Sequence, residues 1–168
     1  VRIAADADVG AEVLRRGGNM KIRKARSADL PAVESLLSRS NLPVDGVRDH
    51  FGDFIVAEGS NGIEGAVGLE KYESVALLRS AVVAPAYRGS GVGRRLVEQV
   101  LERAQEDGID ELYLLTTTAE KYFPRFGFEA TTRAAVPNEL KASAEFRGAC
   151  PDTAVVMKRR LGTPRTRA

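Results

Sequence analysis

Residues 87–98, Y-R-G-S-G-V-G-R-R-L-V-E, place glycines at 89, 91 and 93 directly before a strong helical pattern. Glycine loosens a backbone, and three in alternation imply that something must approach the main chain closely. Amides exposed at a helix N-terminus carry a favourable partial charge and leave room for a phosphate. Arg88, Arg94 and Arg95 flank the run. It lacks the G-K-[ST] ending of a nucleotide-triphosphate loop, and its G-x-G-x-G spacing fails the dinucleotide fingerprint at Arg94. A tight turn alone would seldom need three glycines and three arginines, so the run reads as an anion site.

Two charges in apolar strands are the next candidates for chemistry. Glu70 closes A-V-G-L-E, where a carboxylate could deprotonate an ammonium directly or through water; the alternative is a solvated strand end. Glu73 ranks below it because it falls in the following turn. Arg79 sits inside L-L-R-S-A-V-V, and a long charged side chain rarely lies buried without a partner. It pairs with Glu70, binds a substrate carboxylate bidentately, or lies on an exposed strand face. Cys150 could carry an acyl group, but with a single histidine, His50, far away in sequence, a packed or exposed thiol is the better reading. His50 itself reads as structural. One histidine and one cysteine leave neither a zinc cluster nor an internal disulfide, and the cysteine usage fits a reducing cytoplasm.

These groups need a scaffold, and the periodicities predict one. The 168 residues suit one domain with a real core, at 43% apolar and 29% charged. No apolar run approaches a membrane span, and no signal-peptide pattern opens the chain. Net charge is +2, with five of the 25 basic residues and no acid in residues 158–168; a solvated terminus is expected there rather than a nucleic-acid surface. Residues 1–20 are expected as an N-terminal extension with a short helix at 11–16, residues 21–161 as the single domain, and 162–168 as a basic tail.

Within the domain, K-I-R-K-A-R alternates like a strand. Ser27 is expected to cap a helix through Ser40, with Pro31 in its first turn and Leu30, Val33, Leu36 and Leu37 along one stripe. A short helix is predicted near 44–51, then strands at 54–58, 63–72 and 75–83 as an antiparallel meander. Val92, Leu96, Val97, Val100, Leu101 and Ala104 form one helical stripe, followed by a strand at 111–116. A helical crossover between 75–83 and 111–116 makes that pair parallel. A short helix at 119–126, a strand after Gly127, a helical segment near 138–146 and a last strand, A-V-V-M-K-R, complete a mixed α/β sheet.

With these elements in place, the chain resembles the GNAT (Gcn5-related N-acetyltransferase) superfamily. Arg88-Gly89-Ser90-Gly91-Val92-Gly93 matches its acyl-CoA signature R/Q-x-x-G-x-G/A. L-R-S-A-V-V-A-P-A-Y before it and Y-F-P-R-F-G-F after it are similar to the neighbouring motifs. The resemblance spans about residues 21–160 and is most specific from 75 to 128. It implies the GNAT fold: a central, mostly antiparallel sheet, helices on both faces, and a parallel strand pair that splays apart. It also implies acetyl-CoA as donor, without metal. The pyrophosphate would rest on the amides of Gly89, Ser90, Gly91, Val92, Gly93 and Arg94 beside Arg88. The pantetheine arm would run along Ala81, Val82 and Val83, bonding Ala81 and Val83, and a strand amide would stabilise the oxyanion.

Two positions depart from the family pattern. The tyrosine that commonly protonates the thiolate is Phe123 here, with Tyr122 one residue earlier and about 100° around a helix. Tyr122 is either the proton donor or a half-buried packing residue. The glutamate base of the histone-acetylating branch is Leu77, which disfavours that branch.

L-Y-L-L-T-T-T-A-E-K-Y-F-P-R-F-G-F is similar to the N-acetylglutamate-synthase-like branch. G-L-E-K-Y, L-L-R-S, V-P-N-E-L and E-F-R-G-A-C-P look most like the arsenic-resistance-associated subgroup. That resemblance implies acetyl transfer to the primary amine of an amino acid or analogue, with Glu70, Arg79, Thr117 and Thr118 around it. The hydroxyls of Thr116, Thr117 and Thr118 bind ligand, cap the next turn, or do both. Residues 136–151 are expected over the mouth, where Lys141, Glu145, Phe146 and Arg147 tune specificity. A small amine is the expected partner and a homodimer the candidate assembly, in the cytoplasm, with neither nucleic acid nor membrane. The other readings are a peptide or protein N-acetyltransferase, which needs an open groove, and a non-catalytic acyl-CoA sensor, which needs no base.

Overall fold

The computed structural model describes residues 18–162; the helix expected at 11–16 and the end of the basic tail lie outside the described residues. Seven strands form one mixed sheet: β1 Lys21–Lys24, β2 Phe54–Gly59, β3 Gly62–Tyr72, β4 Val75–Val83, β5 Glu111–Thr116, β6 Glu129–Thr131 and β7 Val155–Arg160. Their order is β1-β2-β3-β4-β5-β7-β6. The meander β2-β3-β4 is antiparallel as its short turns require, and β4 with β5 is the parallel pair. Among the described residues the α-helices used below are α1 (Leu30–Arg39), α2 (Val47–His50) and α3 (Val92–Glu106).

α3 packs on one face through Val92, Leu96, Val97, Val100, Leu101 and Ala104, against Val67, Leu69 and Leu78 among others. α1 covers the other face through Val33, Leu36 and Leu37, against Phe54, Val56 and Val82. A third apolar cluster, with Leu77, Tyr113, Leu115 and Leu140, lies under the segment that precedes β7. Met20, the last residue of the expected extension, is 3% exposed and belongs to the α3 cluster. Its sulfur fills the space above Gly59.

A bulge in β4 shapes everything that follows. Between the pairs Gly68↔Arg79 and Ala66↔Val82, β4 carries one more residue than β3, and Ser80 takes φ +54°. The extra residue inverts the alternation, so Ala76 and Leu78 before it and Ala81 and Val83 after it all face α3.

Two local expectations are corrected. Ser27 does not cap α1: residues Ser27–Asp29 form a 3-10 turn, and the Asp29 carboxylate accepts the Arg26 N–H at 2.7 Å. Arg23 donates to the same carboxylate at 2.7 and 3.0 Å, which holds Asp29 below its ordinary value, so this site outcompetes the serine. The segment expected as a helix at 119–126 is a turn followed by a 3-10 helix, Phe123–Phe126, because Pro124 cannot continue an α-helical ladder.

Gly68 lies opposite Phe54 in the ladder, and a Cβ there would fall within the phenyl ring's contact shell. Phe54 is fully buried and has nowhere to retreat. Gly68→Ala is therefore expected to destabilise the domain by about 1–3 kcal/mol, read as a lower midpoint in denaturant unfolding.

Candidate active site

The parallel pair opens into a fork. β4 and β5 pair only through Val75, Ala76 and Leu77 with Glu111, Leu112 and Tyr113. Beyond that β4 runs on to Val83 and β5 to Thr116, each held only on its outer side. The Ala84 N–H bonds back to Glu64 O at 2.7 Å, so strand alternation turns the Val83 amide the other way, toward the gap. The Val83 carbonyl follows it and accepts from Arg88 Nε at 2.9 Å. Ala81, two residues earlier, presents its amide on the same side.

The glycine run crosses the mouth of this fork. Gly89 (φ +78°) and Gly91 (φ +86°) are left-handed, a conformation that a β-carbon resists. Gly91 is the N-cap of α3, and the Arg95 N–H makes the bond to its carbonyl at 3.1 Å. The amides of Val92, Gly93 and Arg94 therefore have no acceptor within the helix and point out of its N-terminus. A Cβ at Gly91 would meet nothing within 4 Å, so the approach is open. Ser90 braces the loop, its hydroxyl donating to Tyr87 O at 2.5 Å. The arginines divide: Arg88 ties the loop to β4, exposed Arg94 pairs with Glu98 at 2.7 Å, and Arg95 reaches away to Met20 O at 2.9 Å.

Behind the fork lies a cavity of about 330 Å³, walled by Arg79 and Ser80 of β4, by Leu115, Thr116 and Thr117 at the end of β5, and by Glu145 and Cys150. Arg79 is 1% exposed and is ion-paired with Glu70. It also donates to Asp45 O at 2.6 Å and to Ser80 Oγ at 3.1 Å. Of the three alternatives for Arg79, the exposed strand face is corrected, and the pair with Glu70 is the one formed. Glu70, wholly buried, is engaged at both oxygens: Oε1 by Arg79, and Oε2 by the Tyr72 hydroxyl at 2.9 Å. Glu70 thus holds Arg79, and it lines a separate cavity with His50 and Tyr72 rather than the one behind the fork. Burial, then the Glu70 bond, pushes the Tyr72 phenol up to about 12. His50, read as structural, comes within 3.9 Å of Glu70 Oε2. Gly46 is required by crowding as well as by φ +75°, since a Cβ there would stand 2.9 Å from Arg79 Nη1.

Thr117 lines the cavity. Thr118 sits in the turn beyond, where Thr116 Oγ1 accepts from Ala119 N at 2.9 Å and Thr118 N at 3.3 Å, so the capping role falls to Thr116. Phe123 is fully buried in the α3 cluster. Tyr122 packs edge-on against Phe123 and Phe126, with the Arg125 guanidinium 4.2 Å over its ring. Its phenol lies close enough for Arg94, in the first turn of α3, to feel it electrostatically.

The residue least legible in advance is Glu145, expected only to tune specificity. It is 5% exposed, and its carboxylate lies 3.8 Å from Arg79 Nε. Burial pushes its carboxyl up, and Arg79 only partly pulls it back. Cys150 beside it is driven up to about 12, first by burial and then by the Glu145 charge, so its thiol stays protonated and is a poor nucleophile.

Comparison with known proteins agrees with this geometry. Residues 50–130 match the family model described as an acetyltransferase (GNAT) domain. An uncharacterized N-acetyltransferase of Chlorobaculum tepidum is 28% identical over 149 residues, covering 80% of this chain and 94% of that one. The amino-acid acetyltransferase of Neisseria meningitidis is 24% identical over 166 residues, covering 86% of this chain and 37% of that one. The N-acetylglutamate synthase of Neisseria gonorrhoeae, solved with coenzyme A and N-acetyl-glutamate, superposes with a TM-score of 0.73 at 22% identity, over 85% of this chain and 35% of that one. The chain thus spans little more than a third of the length of these two larger relatives. The forked sheet and the glycine-rich helix start at its mouth both lie within residues 50–130, the segment that matches the acetyltransferase (GNAT) domain model.

Proposed function

We propose that the chain transfers an acetyl group from acetyl-CoA to the primary amine of a small molecule of the amino-acid class, by direct attack and without an acyl-enzyme. The observation that carries this reading is the opening between β4 and β5 directly behind the outward-facing amides of α3. A diphosphate suits the amides of residues 89–94, whose helix end favours negative charge. The free edge of β4 at Ala81, Val82 and Val83 suits the amide groups of a pantetheine arm added like a strand. A β4 amide turned into the gap suits an oxyanion, a contact that is stronger in the transition state than in the substrate. The larger amino-acid acetyltransferase relatives support an amino-acid-like acceptor, which would enter the cavity walled by Thr117 and Ser80. The resemblance to the arsenic-resistance-associated subgroup places an arsenic-bearing amino-acid analogue among the acceptors to try.

Calorimetric titration with CoA, followed by a coupled-thiol assay over a panel of amines, tests the reading. Saturable heat and amine-dependent CoA release are expected. No heat with well-folded protein would remove it.

Tyr122 is the proton donor to the leaving thiolate in this reading, supported by its packing against the α3 cluster in the segment that follows β5. Tyr122→Phe is expected to lower kcat by about 10²-fold while leaving CoA affinity within a factor of two. An unchanged kcat would make Tyr122 a packing residue only.

A further inference from the structure

Two carboxyls flank the buried Arg79 guanidinium, and they are not equivalent: Glu145 lines the cavity behind the fork, and Glu70 lines a separate one. Glu70 is hydrogen-bonded to Arg79 and balances its charge. Glu145 stands off at 3.8 Å from Arg79 Nε and faces the same cavity as Ser80, Thr116 and Thr117. Once Glu70 has neutralised Arg79, the second carboxylate is a buried negative charge in excess, a state relieved by taking up a proton or a cation. We infer that Glu145 is the group that receives the proton lost by the acceptor's ammonium before attack, and that it draws cationic primary amines into the cavity. The inference rests on the acetyl-transfer reading above and adds to it the identity of the base.

Position and rigidity favour this assignment. β4 offers no base at Leu77, which is fully buried in an apolar cluster. Glu145 opens a π-type turn, Glu145–Ala149, in which the Cys150 N–H donates back to the Glu145 carbonyl at 3.2 Å. Its own N–H donates to Ser143 Oγ at 3.2 Å. A carboxyl on such a braced turn keeps its aim. The ionisable groups facing it are Arg79 from β4, Glu70 from β3 and Cys150 from its own segment. Burial raises its carboxyl above the ordinary carboxylate value, the direction that makes it a stronger base toward an amine's proton.

The proton count closes. The ammonium gives one proton to the Glu145 carboxylate, and the freed lone pair forms the C–N bond at the thioester carbonyl. As the tetrahedral adduct collapses, the C–S bond breaks and its electron pair leaves on sulfur. The sulfur gains a proton from Tyr122, which is refilled by the second proton of the adduct's nitrogen. Glu145 returns its proton to solvent, and the net products are an amide, CoA thiol and one released proton.

The test compares wild type with Glu145→Gln and Glu145→Asp for amine-dependent CoA release across pH 5–9 (roughly the range that spans a tuned carboxyl), with CoA affinity and melting temperature measured on each. Glu145→Gln is expected to lose about 10²–10³-fold in kcat/KM for the amine and to lose the acid limb of the profile, with CoA affinity and melting preserved. Glu145→Asp should recover part of the rate together with the limb. Wild-type turnover and an unchanged acid limb in Glu145→Gln would overturn the assignment while leaving acetyl transfer standing. Parallel losses of turnover, CoA affinity and melting in both variants would overturn it as well, making Glu145 a structural residue. A wild-type protein that binds CoA and acetylates no amine would remove the acetyl-transfer reading, and the base with it.

Discussion

Replacing Arg79 with methionine is expected to lower the unfolding free energy at pH 7 by about 3–5 kcal/mol, the usual cost of removing one partner from a buried ion pair. The side chain is 1% exposed, and four groups converge on it: Glu70, Glu145, the Asp45 carbonyl and Ser80 Oγ. Methionine fills the space but leaves the buried Glu70 and Glu145 carboxyls without the guanidinium between them. Glu70→Gln should cost less, because Glu145 remains 3.8 Å away to balance the guanidinium. The pH dependence separates this account from simple loss of packing. Burial already raises the Glu145 carboxyl in the folded protein, and Arg79 is what pulls it back. In Arg79→Met the folded state holds that proton more tightly still. A group raised on folding stabilises below its unfolded value and loses that stability as pH rises, so the deficit of Arg79→Met should widen from the ordinary carboxylate range upward. Urea midpoints measured between pH 4 and pH 8 (roughly the window spanned by ordinary and raised carboxyls) provide the check. A deficit of constant size would show that methionine merely packs badly.

This charge cluster also marks how far the sequence can be read. The glycine run, the α3 stripe and the β2-β3-β4 meander are legible because each depends on neighbours a few residues away: turn glycines, a 3.6-residue repeat, alternation between short turns. The parallel β4–β5 pair follows from the helix between them. The bulge at Ser80 is not legible. A single extra residue inside L-L-R-S-A-V-V has no compositional mark, yet it decides which side chains face α3, while the regular ladder before it sets Arg79 opposite Gly68 and diagonal to Glu70. Without that register, Arg79 stays open between a partner, a substrate and solvent. The segment before β7 is harder, being a chain of 3-10 and π-type turns with no periodicity. Only tertiary packing carries Glu145 across to β4. Ser27 misleads for the opposite reason: a local cap is available, but Asp29 with Arg23 competes for the same place.

The glycine run permits a test that separates charge from shape. Gly91→Asp is expected to weaken CoA binding by about 3 kcal/mol, roughly a hundredfold, while shifting the melting free energy by less than about 1 kcal/mol. Position 91 has φ +86° and open space where a Cβ would stand, so a side chain meets strain but no clash. Aspartate and asparagine tolerate the left-handed region better than other residues. A carboxylate at a helix N-terminus also gains from the helix dipole, which offsets part of the strain. For a bound diphosphate the same carboxylate is a like charge at contact range, worth several kcal/mol where water is partly excluded. Gly91→Asn keeps the shape without the charge and should lose only severalfold. The gap between the two variants should narrow as salt is raised, because exposed charges are screened over about 10 Å at 0.1 M. Pantetheine lacking the diphosphate should bind both variants alike. Equal losses for aspartate and asparagine, at low and high salt, would mean that these amides hold no anion, and the reading of the fork as a CoA cleft would have nothing to anchor its far end.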